Sequence, residues 1–423
     1  MNDVGGGRVP RPGDERATEL RYVVWEITLA CDLSCHHCGS RAGKPRSNEL
    51  STEEALDVVA QLADMGTHEV VLIGGEAYLR EDWTTIIGAI ADRGMRAAMV
   101  SGGRSLTAER ARAAKDAGLD AVSFSIDGLR DTHDLQRGLR GAFDAATQGM
   151  KNAVEAGLVV TGNSQINRLS FPELDGIYDH LRAHGATGWQ LAMTVPMGRA
   201  AERPHWLLQP WELIEVFPKL GELAERGARE GLLLFPGNNV GYFGPEETTL
   251  RGRGIDDSRA WGGCIAGVSA LGIESDGSIK GCPSLPSASW VGGSVRERSV
   301  RDIWEDTPPL RYVRDREVDA RSGATAAAAT TPKSAERAAP GPRRFCWAAQ
   351  ATTPTATTAP SIIADAGSAS GWCRTRWASG SPSTTAASTS SRRTGRTPAP
   401  SPPPRARLSA SCDDAFGART AFG

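Results

Sequence analysis

Six short apolar runs, each followed by an amphipathic stretch, alternate along the chain between Tyr22 and Val195, and few architectures accommodate that order. The runs that read as strands are Tyr22–Leu29, Val70–Ile73, Ala97–Val100, Ala121–Ile126, Val159–Ile166 and Trp189–Met193. Helical stretches fall between them at Ala55–Met65, Glu81–Arg93, Thr107–Ala117, Gly141–Ala156 and Phe171–His184. Ser51-Thr-Glu-Glu54 is a capping box ahead of the first helix, and Pro172 lies near the start of the last, where a helix tolerates it. Repeated strand–helix alternation implies a parallel sheet joined by right-handed crossovers. Such folds place their chemistry at the C-terminal ends of the strands. The notable residues fall there: Cys31, Cys35 and Cys38 after the first strand, Gly74-Gly75-Glu76 after the second, Ser101-Gly-Gly103 after the third and Asp127 after the fourth.

Charge and composition divide the 423 residues further. From Arg321 onward there are 13 Lys/Arg against 4 Asp/Glu, which leaves 35 against 46 in the first 320 residues. An acidic body argues against a nucleic-acid binder, because phosphate neutralisation needs clustered cations. No apolar run is long enough to span a bilayer, and Met1–Glu19 lacks the apolar centre of a signal peptide, so a cytoplasmic location is expected. The division predicted is a disordered lead over 1–20, an α/β barrel over 21–200, a helical connector over 201–262, a second small α+β unit over 263–320 and a low-complexity tail over 321–423. The tail holds no Val and one Leu, and taken as written it cannot build a core.

The eight cysteines are not spaced as a disulfide framework. Cys31-Asp-Leu-Ser-Cys35-His-His-Cys38 has the spacing Cys-x3-Cys-x2-Cys on one short loop. Three thiolates on such a loop can hold three irons of a cubane and leave the fourth open to a substrate. Zinc with His36 or His37 as a fourth ligand is the alternative. Over roughly residues 20–320 the chain resembles the radical S-adenosylmethionine (SAM) superfamily, whose signature is this cysteine spacing after the first barrel strand. The resemblance implies a partial (β/α)6 barrel, a 4Fe–4S cluster on Cys31, Cys35 and Cys38, and SAM on the open iron. It further implies reductive cleavage of SAM to a 5′-deoxyadenosyl radical that takes hydrogen from the substrate. The position before the third cysteine is usually aromatic in that family, whereas here it is His37.

Gly74, Gly75 and Glu76 are similar to the family's glycine-rich motif, where bare backbone approaches the methionine moiety and a carboxylate holds its ammonium. Ser101 is a further candidate for contact with SAM. Ser125 and Asp127 are candidates for the ribose hydroxyls, with a local turn as the alternative role of Asp127. Asn163, Ser164 and Asn167 are placed to serve the ribose or carboxylate, and Arg168 the carboxylate, although polar strand ends need no ligand. Met197-Gly198-Arg199-Ala200 resembles the segment that lines the adenine, and tight-turn chemistry accounts for it as well.

Cys264 and Cys282 flank Gly272-Ile-Glu-Ser-Asp-Gly277, which reads as a hairpin with an Asp-Gly turn. The pair resembles the opening of the SPASM extension, an auxiliary Fe–S domain, and both are candidate metal ligands. Its remaining pattern, Cys-x2-Cys-x5-Cys-x3-Cys and a last Cys, is not met by Cys346, Cys373 and Cys412. A frameshift close to Ala320–Ser322 would explain the mismatch. If the reading frame runs one base late, an Ala codon derives from Cys, Gly, Arg or Ser. Ala326, Ala329, Ala335 and Ala339 then restore the three spacings, and Ala356 supplies the last cysteine. The alternative is a genuine disordered basic tail. Auxiliary clusters are expected only in the unshifted protein.

The reading that emerges is a radical SAM enzyme of the SPASM-containing, peptide-maturase type. Its expected substrate is a ribosomally made peptide, modified by crosslinking, epimerisation or oxidation. Expected partners are a flavodoxin- or ferredoxin-type electron donor and, since only about twenty residues precede the first strand, a leader-peptide-binding protein or the barrel itself. The rivals are a radical SAM enzyme acting on a small metabolite and a non-catalytic Fe–S or zinc protein.

Overall fold

The computed structural model describes residues 18–240, 244–251 and 264–321. The N-terminal lead to residue 17, the tail from residue 322 and the alanines of the proposed frameshift lie outside the described residues. Eight strands and helices come first in alternation: β1 (Tyr22–Thr28), α1 (Thr52–Asp64), β2 (Glu69–Gly74), α2 (Trp83–Asp92), β3 (Arg96–Ser101), α3 (Ala108–Asp116), β4 (Leu119–Ser125) and α4 (Arg130–Arg137). There follow α5 (Ala142–Glu155), β5 (Val159–Ile166), α6 (Leu174–Ala183), β6 (Gly188–Met193), α7 (Leu213–Glu230), β7 (Leu233–Pro236) and α8 (Glu247–Arg251). The last part comprises β8 (Ala270–Ile273), β9 (Ser278–Lys280), α9 (Ser287–Trp290), β10 (Val291–Ser294), α10 (Val300–Asp306) and α11 (Pro308–Arg321).

All ten strands join one sheet in the order β10-β9-β8-β1-β2-β3-β4-β5-β6-β7. Neighbours from β1 to β7 are parallel. One face, with Val23, Trp25, Ile27, Leu72, Met99, Val122 and Phe124, is sealed against the helices. The other carries a small layer of Val71, Ala98 and Ala121 packed with Tyr22, Ile73 and Val100. Burial on both faces is why these strands read as nearly continuous apolar runs. At α1 the capping box forms as expected, with Ser51 accepting from the Glu54 amide and Glu54 accepting from that of Ser51.

Three expectations are corrected. The connector is not helical throughout, because the apolar segment Leu232–Phe235 supplies β7, which pairs with β6. The part beyond Cys264 is not detached from the barrel, because β8 pairs parallel with β1 over Tyr22–Trp25 and buries Leu271 and Ile273 in the common core. The Asp-Gly hairpin does form between β8 and β9, with Gly277 at φ +86°. Finally, α4 was not anticipated. Its sequence, RDTHDLQR, is polar, and the residues it buries are His133, Gln136 and Arg137 rather than an apolar stripe.

Candidate active site

The cysteine loop leaves β1 and is closed at its base by two backbone bonds, Cys31 N–H to Gly43 O (3.1 Å) and Gly43 N–H to Leu29 O (2.9 Å). Glu49 holds the strand end, accepting from the Leu29 amide and the Thr28 hydroxyl. Each thiol sulfur receives a donor: Leu33 N–H on Cys31 Sγ (3.4 Å), Ala42 N–H on Cys38 Sγ (3.4 Å) and Arg137 Nη1 on Cys35 Sγ (3.5 Å). Donors aimed at sulfur favour the thiolate, the form that ligates metal. Burial opposes it, pushing the Cys31 thiol up to about 12 and raising that of Cys35. Three such thiolates become stable here only with a cation to bind, which fits an iron–sulfur cluster. Of the two histidines in the loop, His37 directs Nε2 to Asp127 (3.0 Å) and His36 packs beside Trp206, with ring centres 5.9 Å apart, while the Nδ1 of each is buried without a hydrogen-bond partner.

The glycine-rich turn runs directly beneath this loop. Gly75 and Glu76 donate their amides to Thr28 O (2.8 Å) and Ala30 O (2.7 Å). A Cβ on Gly75 would stand 2.0 Å from Ala30 O and 2.8 Å from Cys31 Cβ, so no side chain fits. Glu76 is buried, with one oxygen accepting from Ser101 Oγ (2.6 Å) and the other from Gly102 N–H (2.6 Å). Burial lifts its carboxyl to about 7 against those two bonds. Cys31 Sγ and carboxylate oxygens of Asp32 and Glu76 lie within 4.8 Å of one another. Asp32 accepts from Ser105 Oγ (2.6 Å), while its Oδ1 is buried without a partner. Two carboxylates beside a cysteine sulfur can hold a cationic group such as an ammonium.

The remaining sequence candidates are dispersed. Ser125, at the end of β4, and Asn163, within β5, are register partners, half-buried on the inner face, and Asn163 donates to Gln190 on β6 (3.3 Å). Asp127 is not presented to a ribose. Its Oδ1 accepts from Gln165 N–H (2.8 Å), and its Oδ2 is shared by His37 and Arg137. Asn167 is likewise fully enclosed, donating to Gln136 (2.7 Å) and Thr194 (3.1 Å) and capping the following turn. Ser164 accepts from the Trp189 indole (2.9 Å) and donates to Ile126 O. Arg168 points outward to Glu212 (2.9 Å). Asn163, Asp127, Asn167, Ser164 and Arg168 thus each have a partner inside the protein. Cys264 and Cys282 lie in the last part and form no disulfide among the described residues.

One contribution escaped sequence reading, and one segment named there for the adenine makes contacts of another kind. Arg137 reaches the loop from the unanticipated α4, whose one sequence signal is the helix-ending Gly138 after a basic last turn. The Met197–Ala200 segment grips the loop itself. Arg199 donates from its amide to Cys38 O (3.0 Å), from Nε to Cys35 O (2.7 Å) and from Nη1 to Ala42 O (3.2 Å). Gly198, at φ +56°, leaves no room for a Cβ against Cys38 O and Gly39 O.

The family model described as Radical SAM superfamily matches residues 25–173. AdoMet-dependent heme synthase of Oleidesulfovibrio alaskensis is 27% identical over 342 residues, covering 75% of this chain and 83% of that protein. PqqA peptide cyclase of Rhizobium meliloti is 27% identical over 311 residues, covering 71% and 78%. Among solved structures, Streptococcus suis SuiB bound to S-adenosylmethionine shares the fold with a TM-score of 0.58 at 16% identity, over 70% of this chain and 68% of that one. By its cysteine loop and the family match, residues 25–173 form a radical SAM domain, and the chain is similar along most of its length to enzymes of that superfamily, which bind a 4Fe–4S cluster and S-adenosylmethionine.

Proposed function

We propose that this enzyme modifies a ribosomally made peptide, beginning with removal of a hydrogen atom from an unactivated carbon. In this reading Cys31, Cys35 and Cys38 hold the cluster, and Glu76, positioned by Ser101 and Gly102, receives the SAM ammonium. When bound, the cluster supplies the electron for reductive cleavage of SAM and hence the hydrogen-abstracting agent. The protein's own part is to orient the substrate beside it and exclude water.

The observation that carries the substrate choice is the inner face of the sheet. Ser125, Asn163 and Gln190 lie in one register row across β4, β5 and β6. Gln165 follows two residues beyond Asn163 on the same side of its strand. All four are neutral groups able to exchange hydrogen bonds with peptide amides. In β1 to β6 the single cationic side chain is Arg96, at the far, N-terminal end of β3, where it is tied to Glu69 (3.2 Å) and Asp120. These strands themselves offer no cation to an anionic substrate. The name of the PqqA peptide cyclase relative agrees with a peptide.

The test is anaerobic incubation of the full chain with SAM and dithionite, beside either a short Cys- or aromatic-rich peptide, taken from the neighbourhood of its gene where one is encoded there, or an iron porphyrin with free propionates. A mass change in the peptide with matching 5′-deoxyadenosine is expected. Consumption of the porphyrin with an unchanged peptide would establish the small-molecule alternative instead. No 5′-deoxyadenosine with any substrate, from cluster-loaded protein, would favour a binding protein.

A further inference from the structure

The buried ion pair of Arg137 and Asp127 has no part in the chemistry described above, yet it abuts a cluster ligand. Arg137 is 8% exposed and Asp127 fully enclosed. One arm of the guanidinium, Nη1, lies 3.5 Å from Cys35 Sγ, and the other, Nη2, binds Asp127 Oδ2. The pair cannot swing away. Asp127 is fixed by Gln165 N–H on Oδ1, by His37 Nε2 on Oδ2, by its own amide donating to His133 Nδ1 (3.1 Å), and by the Gln136 side chain on its carbonyl. Arginine does not deprotonate in proteins, so its charge here is permanent. Neighbouring Arg137 holds the Asp127 carboxyl well below the usual carboxylate range, so that charge is permanent too.

We propose that these two fixed charges set the reduction potential of the cluster, Arg137 raising it and Asp127 lowering it. Reduction adds one negative charge to the irons and their sulfurs, and in a buried site such a charge feels its neighbours with little screening. A guanidinium in contact with Cys35 Sγ stabilises the reduced form. The carboxylate behind it opposes that effect from farther away. Holding both charges before the electron arrives means that no reorganisation accompanies reduction. The net effect is a potential poised between the values that either charge alone would impose. The inference rests on Cys31, Cys35 and Cys38 binding a cluster, and iron content tests that condition separately.

The experiment is an EPR-monitored redox titration of the reconstituted full chain, with iron content measured for each variant. Arg137→Met leaves an unopposed anion and should make the cluster at least tenfold harder to reduce, a downward shift of about 59 mV for one electron. Asp127→Asn should shift it upward, by less than the shift of Arg137→Met because the carboxylate is farther away but by at least threefold, and Arg137→Lys, keeping the charge, should stay within threefold of the parent. The double variant Arg137→Met with Asp127→Asn should return toward the parent. A pair that merely shapes the loop predicts no such opposition of sign. Shifts of the same sign, or shifts under threefold with iron retained, overturn the inference. If Arg137→Met loses its iron, the upward shift of Asp127→Asn together with the parent-like Arg137→Lys supports it, and the failure of either overturns it. Loss of iron from both Arg137→Met and Asp127→Asn also counts against it, since the pair would then be needed for holding the cluster. A parent chain that takes up no iron would instead defeat the cluster assignment.

Discussion

At Gly75 the space for one methyl group decides whether two loops can meet. Since a Cβ would stand 2.0 Å from Ala30 O, Gly75→Ala must push the glycine-rich turn off the cysteine loop. The expected result is iron uptake reduced several-fold with the barrel intact, read by iron analysis beside circular dichroism. Unchanged iron content would show that the two loops are not a fixed unit. Glu76→Gln keeps the shape and the bond from Ser101 but removes the charge. It should retain the cluster and weaken SAM binding by about tenfold, the scale of one charge-assisted hydrogen bond. Equilibrium dialysis of the reconstituted variant against labelled SAM checks this, and unchanged affinity would remove Glu76 from the ammonium site. Both residues are readable in the sequence by their place at the end of the second strand after the cysteine loop, since Gly-Gly-Glu by itself usually marks only a turn.

Among the elements, α4 shows what periodicity cannot reveal. Its inward side chains are His133, Gln136 and Arg137, which an amphipathicity argument assigns to solvent. The helix is held by bonds: Gln136 O accepts from the His36 amide (2.7 Å), while the Gln136 side chain joins Asp127 O to Asn167. Gln136→Leu should leave the buried Asp127 carbonyl without its side-chain donor, while Asn167 keeps Thr194, and cost about 1–3 kcal/mol. Urea unfolding of the metal-free variant measures the loss; a change under about 0.5 kcal/mol would mean that water or another side chain takes over. The same reasoning explains β7 and β8, whose four-residue runs are too short to separate from loop by pattern.

For the molecule as a whole, two buried groups give opposed pH dependences. Glu76 titrates near 7 when folded, above its ordinary range, so its contribution to stability is full below about pH 4.5 and is lost as pH rises through 7. His133, enclosed and close to Arg137, is pushed down to about 3; its contribution is full above about pH 6.5 and drains away as pH falls toward 3. Between pH 4.5 and 6.5 the slopes oppose. Glu76→Gln removes one of them, so the metal-free variant should lose stability relative to the parent on acidification by about 1.4 kcal/mol per pH unit. Urea midpoints at pH 7 and pH 5 test this, and parallel behaviour of the two proteins would refute it. The origin of the tail is a question for the gene. A DNA read across codons 315–330 should find one base missing or extra. An intact frame would leave this chain with its present five cysteines in the described part and no route to the SPASM pattern.

The alternation of apolar runs fixed the parallel sheet, and the cysteine and glycine spacing located the metal loop and the turn beneath it. Those features are local: strand burial, tight turns and close-set ligands are written in adjacent residues. Tertiary structure decided the partners. That Asp127 faces Arg137 and His37, that Asn167 closes on Gln136, that Arg199 grips the carbonyls of Cys35 and Ala42, and that β8 returns to β1 all join residues far apart in sequence. A buried polar group must be paired, but its own sequence neighbourhood does not say with what. The choice is made by which strand ends and helices the sheet brings together.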